Sequence, residues 1–373
     1  MKLKNKILAA LLGLSMLLCS CADSSSAAES SITSSSRSET VTSADQSSQS
    51  EQTTTTAEPV TTEQTTTTAD PNTTEQTTSK PAGTPDASVP AGVPMWEGTD
   101  KNGSKIIFMG SMHVAKADFY PLPEKIKKAY DQSEVIAFEC DTESAENEQM
   151  QFELQKQMTY RDGTLLKDKL SPQAYKILCE RFAEIGMSEE MIANFKPWAA
   201  YETLTALWIM SGELKTQNGV DYYLMRQTKT DNKQLYELES AQSQLDMMIQ
   251  QPDKLYDALF RLMKDESKQS ALDDTAKLYE LWLKGDMKGI EEMTVLPPDE
   301  EMKKEGLTDE EIRLLRQREK TQVDDRNIAM AEKIKTLFKS GKSTMVIVGS
   351  AHFIGENGII SLLEKDGCTF RRI

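Results

Sequence analysis

Large apolar residues are spread unevenly along this chain, and their spacing divides it. Residues 22–91 hold almost none. Ser and Thr dominate there, and a unit recurs as "EQTTTTAEPVTT" and "EQTTTTADPNTT" before fading in "EQTTS". Such a tract lacks the apolar surface that offsets ordering entropy, and it lacks the hydrophobic positions that let repeats stack. It is expected to form a flexible stalk. Past residue 92 the pattern changes. "KIIFMG", "EVIAFEC" and "TMVIVGS" are short apolar runs of the kind found in strands buried on both faces. "MWEGTDKNGSKIIFMG" sets two strands around Asn102-Gly103, a hairpin signal. "PLPEKIKKAYDQS" predicts a helix opened by Pro123. Strand, helix and strand follow one another as in an α/β unit.

The middle of the chain has a helical period. "SPQAYKILCERFAEIG" carries a Ser171 cap, Pro172 in its first turn and Gly186 as a stop. "PWAAYETLTALWIMSG" is a second helix, entered through Lys196-Pro197-Trp198. A third starts within residues 218–227, where Gly219 and Asp221 read as the entrance and Asp221 as a cap or a partner of the helix dipole. "KQLYELES" reads as a strand inside this helical stretch. Residues 252–335 return to helices whose Met and aromatic stripes read as core. "PPDEEMKKEGLTDEE" is expected to be a solvated, mobile connection. Then "GENGIISLLEKDG" gives a helix and "CTFRRI" a last strand. The expected fold is α/β, a central mixed sheet built from the N- and C-terminal parts with a large, mainly helical middle insertion.

The charge balance narrows the partners. A formal net charge of −16 and a pI near 4.8 disfavour nucleic acid, which requires a basic face. The N-terminus adds an address. Lys2, Lys4 and Lys6 precede an apolar run at residues 7–18, too short to span a bilayer comfortably and suited to a signal-peptide core. "LCSC" then resembles a bacterial lipoprotein signal, cut before Cys21, with the lipid on Cys21. The expected organisation is a signal peptide with its lipidated cysteine over 1–21, a stalk over 22–91 and an α/β domain over 92–373. The protein is expected to be extracytoplasmic and lipid-anchored to the bacterial cell membrane, with no other membrane contact. Cys140, Cys179 and Cys368 lack any C-x-x-C spacing, which argues against a disulfide framework and a cysteine-rich zinc site.

The chain has two histidines, and both stand in the same phrase. "IIFMGSMHV" holds His113, and "MVIVGSAHF" holds His352. Each follows a glycine at the end of a buried strand, where sites in open α/β sheets collect. Glu139 ends the intervening strand, and a carboxylate in an apolar run needs a counter-charge or a metal. Two imidazoles and a carboxylate form a ligand set known from hydrolytic zinc and non-haem iron sites. No H-E-x-x-H, G-x-S-x-G, phosphate loop or dinucleotide fingerprint is present.

"FMGSMHVAKADFYPLPEKIKKAYDQSEVIAFECD" resembles the opening of the TraB/GumN (PrgY-like) family, and "VIVGSAHFIGENGIISLLEKDGCTFRRI" resembles its ending. "KPW", "GVDYYL", "LES" with Gln242 and Gln244, and "RNIAMAEKI" fall between them in the family's order. Serine at Ser111 and Ser350 stands where relatives often carry threonine or alanine. The resemblance groups the chain with Tiki metalloproteases and erythromycin esterases. It implies metal ligands at His113, Glu139 and His352, with Arg326 and Asn327 as site neighbours, and a divalent metal ion, manganese or cobalt, with zinc as a further candidate. The expected reaction is metal-dependent hydrolysis of a peptide or ester bond in a peptide or protein substrate. Arg326 would stabilise the oxyanion or else pair with Asp324 or Asp325. Glu239 or Asp141 would act as base if Glu139 is a ligand; alternatively Glu139 is itself the base. A metal-independent esterase, with a histidine as base oriented by Glu139, and a non-catalytic protein that sequesters peptides are the other readings.

Overall fold

The computed structural model describes residues 92–143 and 148–373. The signal segment, Cys21 and the stalk lie outside the described residues. Among the described residues no helix is long and apolar enough to cross a membrane.

Six strands form one sheet: β1 (Met95–Thr99), β2 (Lys105–Ser111), β3 (Val135–Phe138), β4 (Gln234–Glu237), β5 (Thr344–Gly349) and β6 (Thr369–Arg372). Their order is β4-β3-β5-β2-β1-β6. The strands β4, β3, β5 and β2 are parallel neighbours, whereas β1 runs antiparallel to both β2 and β6. The sheet is therefore mixed, and it joins the two ends of the chain as the apolar runs predict. The middle adds β4 to its far edge. The β1–β2 hairpin closes through residues 100–104, because the Asp100 carboxylate accepts from the Asn102 and Ser104 N–H groups at 2.9 and 2.8 Å.

Alternation along β5 explains how the sheet is buried. Met345 and Ile347 pack with Trp282, Leu278 and Ile290 on one face. Val346 and Val348 pack with Ile334, Phe338 and Leu363 on the other. Both faces are apolar, so the strand reads as a continuous run. The helical middle has a core of its own, centred on Phe182, Trp198, Tyr201, Tyr256 and Phe260. Pro197 opens the helix Pro197–Met210, and Trp198 is buried, so "KPW" starts and packs that helix. Cys140, Cys179 and Cys368 are free thiols.

One expectation is corrected. The acidic stretch expected to be a mobile connection folds into the helix Asp299–Lys304 and the start of the helix Asp309–Glu319. Acids in its first turn and lysines in its last match the helix dipole. A Thr308–Glu311 capping box starts the next helix, and buried Met302 and Leu307 fasten both to the core.

Candidate active site at the ends of three parallel strands

The register brings three chain exits together. Ser111 pairs with Gly349 across β2 and β5, and Phe138 pairs with Ile347 across β3 and β5. His113, Glu139 and His352 follow directly after these positions. Sequence separation is thus removed by parallel pairing alone.

Each imidazole is held through Nδ1. His113 Nδ1 bonds the Asp221 carboxylate. A carboxylate only accepts, so Nδ1 carries a proton. His352 Nδ1 lies 2.6 Å from Asn327 Oδ1, and Asn327 Nδ2 donates to the Asn357 carbonyl at 2.9 Å. That second bond fixes the amide orientation, so here too Nδ1 donates. Both Nε2 atoms are thereby turned toward Glu139. His352 Nε2 lies 3.7 Å from Glu139 Oε1. A Cβ placed on Gly349 would meet His113 Nε2 at 3.1 Å and Glu139 Oε1 at 3.2 Å. The glycine leaves open a space that His113 and Glu139 border.

Glu139 is tightly held. Its Oε1 accepts the Gly349 N–H at 2.7 Å, and its Oε2 accepts from Arg326 Nη2 at 2.6 Å. Burial alone would raise this carboxyl; the imidazole of His352, the Arg326 guanidinium and His113 together bring it down to about 2. His352 itself is pushed down to about 4, chiefly by burial, so at neutral pH Arg326 and His113 supply the positive charge. Burial also opposes charging of His113. The Asp221 carboxylate outweighs it, with help from Glu139, and raises His113 to about 9.

The other expected residues fall as follows. Arg326 pairs with Glu139 and Glu239, not with Asp324 or Asp325. Its Nε bonds both Glu239 oxygens at 3.0 Å and its Nη1 bonds the Gln322 carbonyl at 3.1 Å, so each nitrogen has a protein acceptor. In this geometry the guanidinium clamps two carboxylates. Asn327 is a direct partner of His352. Of the two candidate bases, Glu239 reaches the centre through its pairing with Arg326, whereas Asp141 pairs with Lys229 at 2.8 Å; neither lines the cleft bordered by His113, Glu139 and Asp221. From sequence Asp221 suggests a helix cap or a dipole partner. It sits in the first turn of the helix Val220–Thr230, makes no cap bond and serves His113. Gly219 explains its position, since a Cβ there would strike the His113 carbonyl at 2.4 Å. The "GVDYYL" motif held this signal, because a glycine before an acid can let a helix end press against another loop.

Whether a divalent ion fits follows from the donors. Imidazoles whose Nδ1 is anchored, with Nε2 directed inward, are the usual metal-binding form. Among the described residues no three such donors already stand at metal-binding spacing. Donors about 2.1 Å from an ion lie roughly 3–3.5 Å apart, and the 3.7 Å gap between His352 and Glu139 is slightly wider. The donor types suit a divalent ion, but among the described residues their spacing does not make a three-donor site.

Fold and site together define an α/β protein with a paired-histidine centre at the carboxyl ends of its parallel strands. A model of the TraB/PrgY/gumN family matches residues 94–372. The chain belongs to that family. It is 25% identical over 146 residues to the Uncharacterized protein YbaP of Escherichia coli (strain K12), and the same figures hold for the YbaP protein of Shigella flexneri. These matches cover 39% of this chain and span about half, 52%, of each relative. No solved structure matches the chain.

Proposed function

We propose that this protein is a metal-dependent hydrolase of peptides, with manganese or cobalt as the preferred ion and zinc as a third candidate. The observation that carries the reading is the approach of two Nδ1-anchored imidazoles to one carboxylate: His352 Nε2 stands 3.7 Å from Glu139 Oε1, and His113 Nε2 and Glu139 Oε1 both border the space over Gly349. His113 and His352 would hold the ion through Nε2, with Glu139 Oε1 as the third donor. A bound ion would supply Lewis-acid activation of water and of the scissile carbonyl. Asp221 and Asn327 set the tautomers. Arg326 pairs with both Glu139 and Glu239, and Glu239 is the group assigned to proton transfer from the attacking water. The substrate is a peptide or protein, and the lipid on Cys21 keeps the enzyme on the outer side of the membrane.

The test is turnover of a random hexapeptide pool followed by mass spectrometry. Chelated full-length protein should be inactive, and manganese or cobalt should restore cleavage. Activity that persists after chelation supports a metal-independent hydrolase instead. The engagement of both Glu139 oxygens by protein donors favours that second reading, in which neutral His352 takes the proton. Peptide binding without cleavage under every condition would leave a sequestering protein and would refute both.

A further inference from the structure

A second concavity lies on the other side of the His352 loop. It encloses about 1030 Å³, its open face included. One wall is the loop after β5, from Ala351 to Asn357; the opposite wall includes Val295 and Leu296. Its floor contains Arg318 and Gln322, at a π-helical turn, Lys320–Asp324, joining the helices Asp309–Glu319 and Asp325–Phe338. Such wide turns recur at functional sites.

The floor has unmet donors. Arg318 is 2% exposed and Gln322 7%. Arg318 Nε donates to Gln322 Oε1 at 2.8 Å, and Arg318 Nη2 donates to Glu202 at 3.0 Å. Arg318 Nη1 and Gln322 Nε2 are buried beneath the floor with no hydrogen-bond acceptor, the guanidinium standing 5.9 and 5.7 Å from the Tyr201 and Tyr256 ring centroids. A buried donor without a partner is costly, so two at one place call for an oxygen. The same helical face leads to the centre, since Gln322 passes its carbonyl to Arg326 Nη1. The loop that forms the wall carries His352 on its other side, and Asn357 ties to Asn327.

We propose that this groove binds the substrate chain, as an extended peptide whose carbonyl or terminal carboxylate oxygens accept from Gln322 Nε2 and Arg318 Nη1. Val295, Leu296 and Ile354 offer apolar contact for side chains. Glu319, Asp324 and Glu356 make the surround acidic, which favours basic or uncharged residues over acidic ones. The choice of a peptide rests on the hydrolase reading; the groove and its donors do not.

Two variants of the full chain test it. Gln322→Glu keeps the acceptor for Arg318 Nε, offers a second oxygen to Nη1 and abolishes the amide donor. Val295→Trp fills the groove from a position already 40% exposed, where folding tolerates the change. The probes are random hexapeptide pools with free-acid and amidated C termini. Each variant should raise KM about tenfold or more, the loss of one good hydrogen bond or of the contact surface, with kcat within about threefold. Equal losses for both pools identify main-chain carbonyls as the ligand; a loss confined to the free-acid pool identifies the terminal carboxylate. Unchanged KM in both variants, with turnover intact, overturns the groove and leaves the hydrolase standing. Absent turnover, with peptide binding that both variants weaken, refutes the hydrolase and upholds the groove. No peptide binding by the parent chain overturns the groove as well.

Discussion

The two G-S-x-H phrases are near copies in sequence and opposites in electrostatics. His113 leaves β2 beside a carboxylate, and its side chain is 17% exposed. His352 leaves β5 beside a neutral amide, and its side chain is 8% exposed. The first is driven up to about 9 and the second down to about 4. The motif itself fixes only where each ring stands. Its charge is set by the surroundings: burial opposes charging in both, the Asp221 carboxylate outweighs it at His113, and at His352, whose Nδ1 partner is the neutral Asn327 amide, burial prevails. One centre therefore holds an imidazole that binds a proton readily and another that resists it.

The largest effect is expected where both halves share a partner. Arg326 offsets Glu139 and Glu239 together, so Arg326→Met leaves half-buried Glu239 unpaired and buried Glu139 with His113 alone, and should cost about 3–5 kcal/mol in urea unfolding. A loss below about 1 kcal/mol would show that the carboxylates relax to water and that the centre is looser than described. The next pair compares the glycines. A Cβ on Gly110 meets Ser350 Oγ at 2.7 Å and Pro94 at 3.2 Å, inside packed structure. Gly110→Ala should cost about 1–3 kcal/mol through overpacking. A Cβ on Gly349 enters the space shared by His113 and Glu139, so Gly349→Ala should weaken metal binding about ten- to a hundredfold with a smaller loss of stability. Equal stability losses with unchanged metal binding would remove the distinction between the two.

The smaller effects concern the rings. In metal-free protein His113 binds its proton more tightly folded than unfolded, about 9 against an ordinary 6.5. Its contribution to stability is complete below about pH 6.5 and disappears as pH rises toward 9. Asp221→Asn should lower the His113 titration and flatten that part of the stability profile. Asn327→Asp should raise the His352 titration, with the smallest change in fold because only the bond to Asn357 is lost. With only two histidines in the chain, proton NMR can follow both rings at once. Opposite shifts in the two variants are expected; no shift in either would mean that burial, not the partner, sets both rings.

Much of this was legible from residues alone, for a physical reason. Apolar runs ending in Gly110 and Gly349 mark buried strands, and strand ends in a parallel sheet gather in space, so His113, Glu139 and His352 could be read as one group. What escaped was anything decided by a third element. Asp221 looks like a helix cap because its local sequence is a helix entrance; only the packing of Gly219 on the His113 loop turns it toward the ring. Arg326 has two acids beside it in sequence, and a helix carries those away from its guanidinium. The 297–311 segment reads as a mobile connection when charge is counted without its order, yet acids first and lysines last build a helix while the same charges scattered would not.

The central claim is that both phrases build one metal centre. Calorimetric titration of manganese, cobalt and zinc into chelated full-length protein, beside His113→Ala and His352→Ala, tests it most directly. The account predicts one saturable site in the parent, lost in both variants while each stays folded by circular dichroism. Undiminished binding in either variant, or no binding by the parent, would contradict it.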